Sequence, residues 1–195
     1  MALPFATKPY HSAFRLLARD LQRVLEYVEP TDVNGPTYSH RIYELQLRVC
    51  TETESLWRDM VLASSWNKKK AAILNGSDYR RLEADWNSSR FTVSLLFWKP
   101  KPRLVVPFVA WKRKGAPLPW YRDYNTVKHN RNSEFPRANL ASLTDAFAGL
   151  FLMLARVDGD GFEAGYTMHG PNHWHVRNDE FDMRCDGKAG WEVLQ

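Results

Sequence analysis

Cysteine is scarce in this chain of 195 residues: there are two, Cys50 and Cys185, far apart in sequence. They form neither a disulfide framework nor a CxxC pair, so a reduced compartment is the simpler reading. Long apolar runs are also missing. The longest uncharged apolar stretch, Ala146 to Ala155, has ten residues, half of the ~20 that a membrane-spanning helix needs. It reads as a buried helix segment, and no membrane partner is expected. The opening MALPFATKPYHSAF has no basic region ahead of an apolar core, so no secretory signal is visible. There is no internal repeat, low-complexity tract or long linker. The expectation is a cytoplasmic protein. Aromatics, at 13%, and hydrophobic residues, at 44%, are plentiful enough to exclude intrinsic disorder. A chain of this length defaults to one domain and buries roughly 70% of its unfolded surface.

The net charge of +5 conceals a strong asymmetry. Residues 1–63 carry 7 basic and 8 acidic side chains, residues 64–137 carry 16 and 5, and residues 138–195 carry 4 and 9. The balances are therefore −1, +11 and −5. The middle block also holds 12 aromatics, among them Trp66, Trp86, Trp98, Trp111 and Trp120. Cations interleaved with flat rings suit single-stranded nucleic acid, a polyanion that also offers base faces. The same composition fits buried rings with a solvated cationic rim. Charge alone does not choose between them.

Hydrophobic spacing predicts a helix over about 11–28, with Phe14, Leu17, Leu21, Val24, Leu25 and Val28 on one face. EPTDVNGP breaks it. A second helix is predicted from about Thr37, capped by Thr37 or Ser39, to Ala63. Short helices follow near 68–75 and 78–88, the latter capped by Ser77. FTVSLLFW (91–98) and RLVVPFVAW (103–111) read as strands, although Pro107 confines the second to an edge. Helices are predicted from Pro119 and over about 137–156. The fold class is mainly α: a helical bundle over 1–157 with a small β element inserted before the helix from Pro119, within a basic and aromatic insertion at about 64–118. Residues 158–195 read as an acidic tail or a short β extension.

The stretch WYRDYNTVKHNR, Trp120 to Arg131, carries the chemistry. Arg122 and His129 are seven apart, two helical turns less about 20°, so they share a face. Asn125 joins that face, and Lys128 and Arg131 lie within a turn. Metal-independent cleavage of RNA needs a group that moves a proton at the 2′-hydroxyl or the leaving 5′-oxygen, which histidine does near neutral pH. It also needs donors on the phosphate, which the planar fork of arginine supplies. Asp123 is placed to orient Arg122, Asn125 to fix the tautomer of His129, and Glu52 or Glu54 to supply a carboxylate for Arg122. No cofactor is called for. An Arg and a His at this spacing also occur by chance as plain surface residues.

The segment Arg122-Asp123-x5-His129 resembles the Arg-x(4–6)-His motif of the HEPN superfamily. The wider string Trp120, Tyr124, Asn125, Val127, Lys128, His129, Arg131, followed by the Ala/Leu-rich 138–155, resembles a group of uncharacterised bacterial HEPN-like proteins. The resemblance covers Trp111 to Ala155; the first two helices match in general character, and the tail hardly at all. It implies a HEPN-like helical bundle and a metal-independent endoribonuclease. It further implies a homodimer whose Arg and His residues meet in a composite cleft, with RNA as substrate. Toxin–antitoxin or antiphage roles, with an antitoxin or other protein partner, come with the family. So does the alternative of an inactive binding or scaffold module. In the active reading Arg122 and His129 are catalytic, and Asp123, Tyr124, Asn125, Lys128 and Arg131 support them.

A competing cluster lies in the tail, where His169, His173 and His175 precede Asp179, Glu180, Asp182 and Cys185. His173-Trp174-His175 on a strand would send both imidazoles to one face, a way to hold a transition metal. His-x-His-x4-Glu-x6-Gly, ending at Gly187, resembles one half of a cupin metal motif, but the chain has no room for the barrel. The other reading is a surface tail whose histidines are incidental.

Overall fold

A computed structural model describes residues 5–158, 166–168, 173–178 and 181–186. The chain is mainly helical. Helix α1 (Lys8–Leu25) starts earlier than the apolar spacing suggests, because Pro9 is tolerated in a first turn that lacks intrahelical N–H partners anyway. It buries Tyr10, Phe14, Leu17 and Leu21, while Val24 and Leu25 stay half-buried at its end. Helix α2 (His40–Ala63) is capped by Ser39, whose hydroxyl accepts from the Ile42 N–H at 3.2 Å. Helix α6 (Leu140–Asp158) runs through the middle: every residue from Ala146 to Ala155 is buried. Phe14 of α1 packs on Phe147 and Phe151 of α6, ring centroids 5.5 and 6.2 Å apart. The window Leu140–Val157 has a mean hydropathy of 1.6 and is 78% buried. It is apolar and long enough to cross a bilayer, and here it serves as the core helix of the bundle.

The basic middle of the chain wraps the far end of α2. Short helices α3 (Gly76–Arg80) and α4 (Leu82–Trp86) follow a 3₁₀ turn at Ala71–Ile73. The cap of α3 is Asn75 rather than the expected Ser77. The Asn75 carboxamide accepts from the Ser77 N–H while the Asp78 carboxylate accepts from the Asn75 N–H, a reciprocal pair that satisfies two exposed donors. Strand β1 (Thr92–Leu95) pairs antiparallel with β2 (Arg103–Val105). The second strand is shorter than its hydrophobic run because Pro107 has no N–H for the ladder; the chain instead coils into a 3₁₀ turn at Val109–Lys112.

Helix α5 (Pro119–Glu134) then leads into α6. Three more strands, β3 (Tyr166–Met168), β4 (His173–Asn178) and β5 (Phe181–Asp186), complete one antiparallel sheet in the order β2-β1-β5-β4-β3. The C-terminal segment is thus joined to the central insertion through the β1–β5 pair.

Candidate functional site

Helix α5 divides cleanly by angle. Trp120, Tyr124 and Val127 are buried, and at ~100° per residue they define one side, with Arg122 and His129 almost diametrically opposite. Trp120, only 2% exposed, donates its indole N–H to the Pro107 carbonyl at 2.9 Å and lies flat over Gly149 of α6. A Cβ at residue 149 would come within 3.0 Å of Trp120 Cζ2, so glycine is what lets the indole approach α6. Trp57 of α2 completes the junction, packed on Tyr79, Phe108, Trp111, Trp120 and Tyr121.

A polar chain crosses from α2 to α5 at the edge of this cluster. The Tyr121 hydroxyl donates to Glu54 Oε1 at 2.7 Å, Glu54 Oε2 lies 3.5 Å from the Tyr124 hydroxyl, and Lys128 Nζ donates to the Tyr124 oxygen at 3.0 Å. Burial and the bond to Glu54 push the Tyr121 phenol far above its ordinary value. Burial raises Tyr124 as well, and the hydrogen bond to Tyr124 raises Lys128. The expected partnership of Glu54 with Arg122 is therefore corrected: Glu54 binds the tyrosines, because residues 121, 124 and 128 turn toward α2 and residue 122 turns away. Tyr121 was not among the expected site residues; its i, i+3, i+7 relation to Tyr124 and Lys128 was the available signal.

Arg122 and His129 both emerge into solvent, separated by about 10 Å of helix rise. The Arg122 side chain is 54% exposed and lies 3.7 Å from Asp123 Oδ1, which also accepts from Arg137 at 3.3 Å. Asp123 therefore sits beside Arg122 as expected but is shared. Asn125 does not reach His129: its amide donates to the Tyr121 carbonyl four residues back, at 2.9 Å. Among the described residues the His129 side chain makes no hydrogen bond or ion pair. Lys128 belongs to the Tyr124 side of the helix, and Arg131 lies over the Tyr43 ring at 5.9 Å. Asn130, with φ −131° and ψ 46°, interrupts the helical geometry just past His129, and Arg131, two residues on from His129, is off the motif face even in an unbroken helix.

Among the described residues, a cleft along α1 and α2 beside Leu16 and Leu47 and another beside Trp98 and Arg103 do not include Arg122 or His129. In a single chain both motif side chains are exposed.

The tryptophans of the basic block resolve the composition. Trp98, Trp111 and Trp120 are buried and Trp66 and Trp86 half-buried, with Arg81 stacked 4.1 Å over the Trp66 ring. The rings are core and the cations form the rim, so a ladder of exposed stacking aromatics is not what this block offers. Cys50 is buried in α2, and burial raises its thiol well above the ordinary value, which suits a core residue.

In the competing cluster, His169, Asp179 and Glu180 lie outside the described residues. His173 and His175 stand in β4, in register with Asp186 and Arg184 of β5. No group of three or more His, Cys, Asp or Glu side chains able to hold a metal occurs among the described residues. Comparison of the chain with protein-family models, with curated proteins and with solved structures finds no match.

Proposed function

We propose that this is a HEPN-like RNA-binding protein that cleaves RNA without a metal, through Arg122 and His129. The observation that carries the reading is the exposure of both side chains on one face of α5, opposite a side that Trp120, Tyr124 and Glu54 lock in place. A rigid helix presenting a guanidinium and an imidazole to solvent can meet a phosphodiester without reorganising itself. In this reading Arg122 holds the non-bridging oxygens of the scissile phosphate, where negative charge builds. His129 moves the proton at the 2′-hydroxyl or the 5′-oxygen. Asp123 limits the travel of Arg122.

Two exposed side chains on one helix leave a phosphate poorly enclosed, and facing helices from two copies would enclose it. The reading therefore includes a homodimer with the two α5 helices opposed, acting in toxin–antitoxin or antiphage defence. A second reading, a binding or scaffold module of the same fold without activity, is favoured by one observation. Asn125 is committed to the Tyr121 carbonyl, so nothing among the described residues orients His129.

The test incubates pure protein with mixed RNA in excess chelator, beside His129→Ala, and measures solution mass. Cleavage that disappears with His129→Ala in a dimeric parent supports the nuclease. Binding without cleavage, unaffected by His129→Ala, selects the module. Cleavage equal in both proteins defeats the assignment of His129.

A further inference from the structure

One guanidinium ties two parts of the basic block together. Arg80, in the last turn of α3, donates to the carbonyls of Trp111 at 3.0 Å, Ala116 at 3.1 Å and Arg113. Gly115 makes this possible: its φ of +78° turns the chain back in the left-handed region, where no side chain is accommodated cheaply. The loop 111–116 is thereby closed around Arg80, and Lys112, Arg113 and Lys114 are left exposed.

A second basic loop is pinned to the same short helix from its other end. Lys69 Nζ donates to both Asp78 oxygens, at 2.7 and 3.0 Å, and that bond holds the Asp78 carboxyl below its ordinary value. Lys68 and Lys70 remain exposed on either side. Between them, segments 67–81 and 111–116 hold eight cations and one carboxylate, and that carboxylate is already used by Lys69. Among the described residues Lys68, Lys70, Lys112, Arg113 and Lys114 have no anionic partner.

We infer that these two loops form a phosphate-binding platform that carries the backbone of a single-stranded RNA onto the first turn of α5. The inference rests on the RNA reading above and adds the surface that would hold the strand. Continuity with the motif is structural: an ideal Cβ at Gly76, the first residue of α3, would lie 3.8 Å from Tyr121 Cε1, and Arg122 is the next residue along α5. That contact is on the Tyr121 side of the turn, and a flexible polyanion can bend round the ~100° of α5 that separates Arg122 from Tyr121. A flat anionic membrane gains nothing from that continuity. Because the neighbouring rings are buried or half-buried, Trp66 beneath Arg81, the platform grips phosphates and leaves the bases unread, so it supplies affinity without sequence preference.

Two quadruple variants with equal charge change test this, measured with oligo(U) and oligo(C) of about 25 nucleotides across a salt series. One is Lys68→Gln, Lys70→Gln, Lys112→Gln, Lys114→Gln. The other removes four exposed cations of α1: Lys8→Gln, Arg15→Gln, Arg19→Gln, Arg23→Gln. Arg80, which builds the loop, is left untouched in both.

For a single strand the slope of log K against log salt is about −0.7 per phosphate contact, so losing four contacts flattens it by roughly 3 and weakens binding about 10²–10³-fold at 0.1 M salt. That loss is expected in the loop variant alone, and equally for both oligonucleotides. Equal losses in the two variants, or unchanged slopes, overturn the platform and leave RNA binding itself standing. A parent protein that binds phosphatidylserine vesicles and neither oligonucleotide overturns both this inference and the RNA reading.

Discussion

Removing the Glu54 side chain should loosen the helix that carries Arg122 and His129 while touching neither. In Glu54→Ala the half-buried Tyr121 hydroxyl loses its 2.7 Å acceptor. Leaving such a donor unpaired costs about 1–3 kcal/mol, and a bond to a charged acceptor falls at the upper part of that range. The weaker 3.5 Å approach to Tyr124 adds little. The expected loss is about 2–3 kcal/mol, which for a chain of this size lowers Tm by roughly 5–10 °C. Tyr121→Phe deletes the donor instead and leaves the Glu54 carboxylate half-buried at the rim, for a smaller loss. The pairwise term comes from the cycle of parent, Glu54→Ala, Tyr121→Phe and the double variant, each unfolded in urea. A coupling of about 1–2 kcal/mol is expected. Losses that add to within ~0.5 kcal/mol would refute the claim that this bond ties α5 to α2. In that case the aromatic junction around Trp57 alone would hold the helix.

Three further outcomes follow from other parts of the molecule. Burial raises the Asp145 carboxyl to about 6, against the opposing effect of Arg103 at 2.8 Å. The folded state then binds this proton more tightly than the unfolded chain, so the Asp145 contribution to stability grows as pH falls from about 6 toward 4 and is lost above. Urea midpoints of parent and Asp145→Asn should differ in their change between pH 7.5 and 4.5 by an amount equivalent to about 2 kcal/mol; parallel profiles would reject the burial argument. Gly149→Ala should destabilise despite the ~1 kcal/mol that alanine gains in a helix. The indole it meets at 3.0 Å is pinned by its bond to Pro107, and overpacking costs about 1–3 kcal/mol. A raised urea midpoint would show that Trp120 moves freely. Arg122→Ala and His129→Ala, both at exposed positions, should each leave unfolding within about 0.5 kcal/mol of the parent, as calorimetry would show. A larger drop would make any loss of RNA cleavage uninterpretable as chemistry.

Local pattern and tertiary contact contributed differently to what could be read in advance. The three long helices of the core were legible because apolar residues recur at helical spacing, and Ser39 was legible as a cap of the second; the start of α1 at Lys8 was not. The shared face of Arg122 and His129 was legible for the same reason, since seven residues nearly close two turns whatever surrounds them. The shortened β2 was half legible: Pro107 warned of it, but the closing 3₁₀ turn depends on Trp111 finding its place against Trp57 and Phe108. The roles of Asn125 and Glu54 were misread because both have several partners within reach. Which one each takes depends on the neighbouring helix, and charge complementarity alone pointed to the wrong one.

The sequence by itself determined the mainly helical character, the position of the central apolar helix and the confinement of net positive charge to residues 64–137, because each is a property of spacing or composition along the chain. Tertiary structure decided what the block is made of. Its tryptophans turned inward, because large rings gain most from leaving water, and that left the cations as its outer surface. It also placed Arg80 where three carbonyls of a distant loop converge, and joined β5 to β1 across nearly half the chain. Contacts between residues so far apart in sequence are fixed by how the whole chain fills space, and no local window contains them.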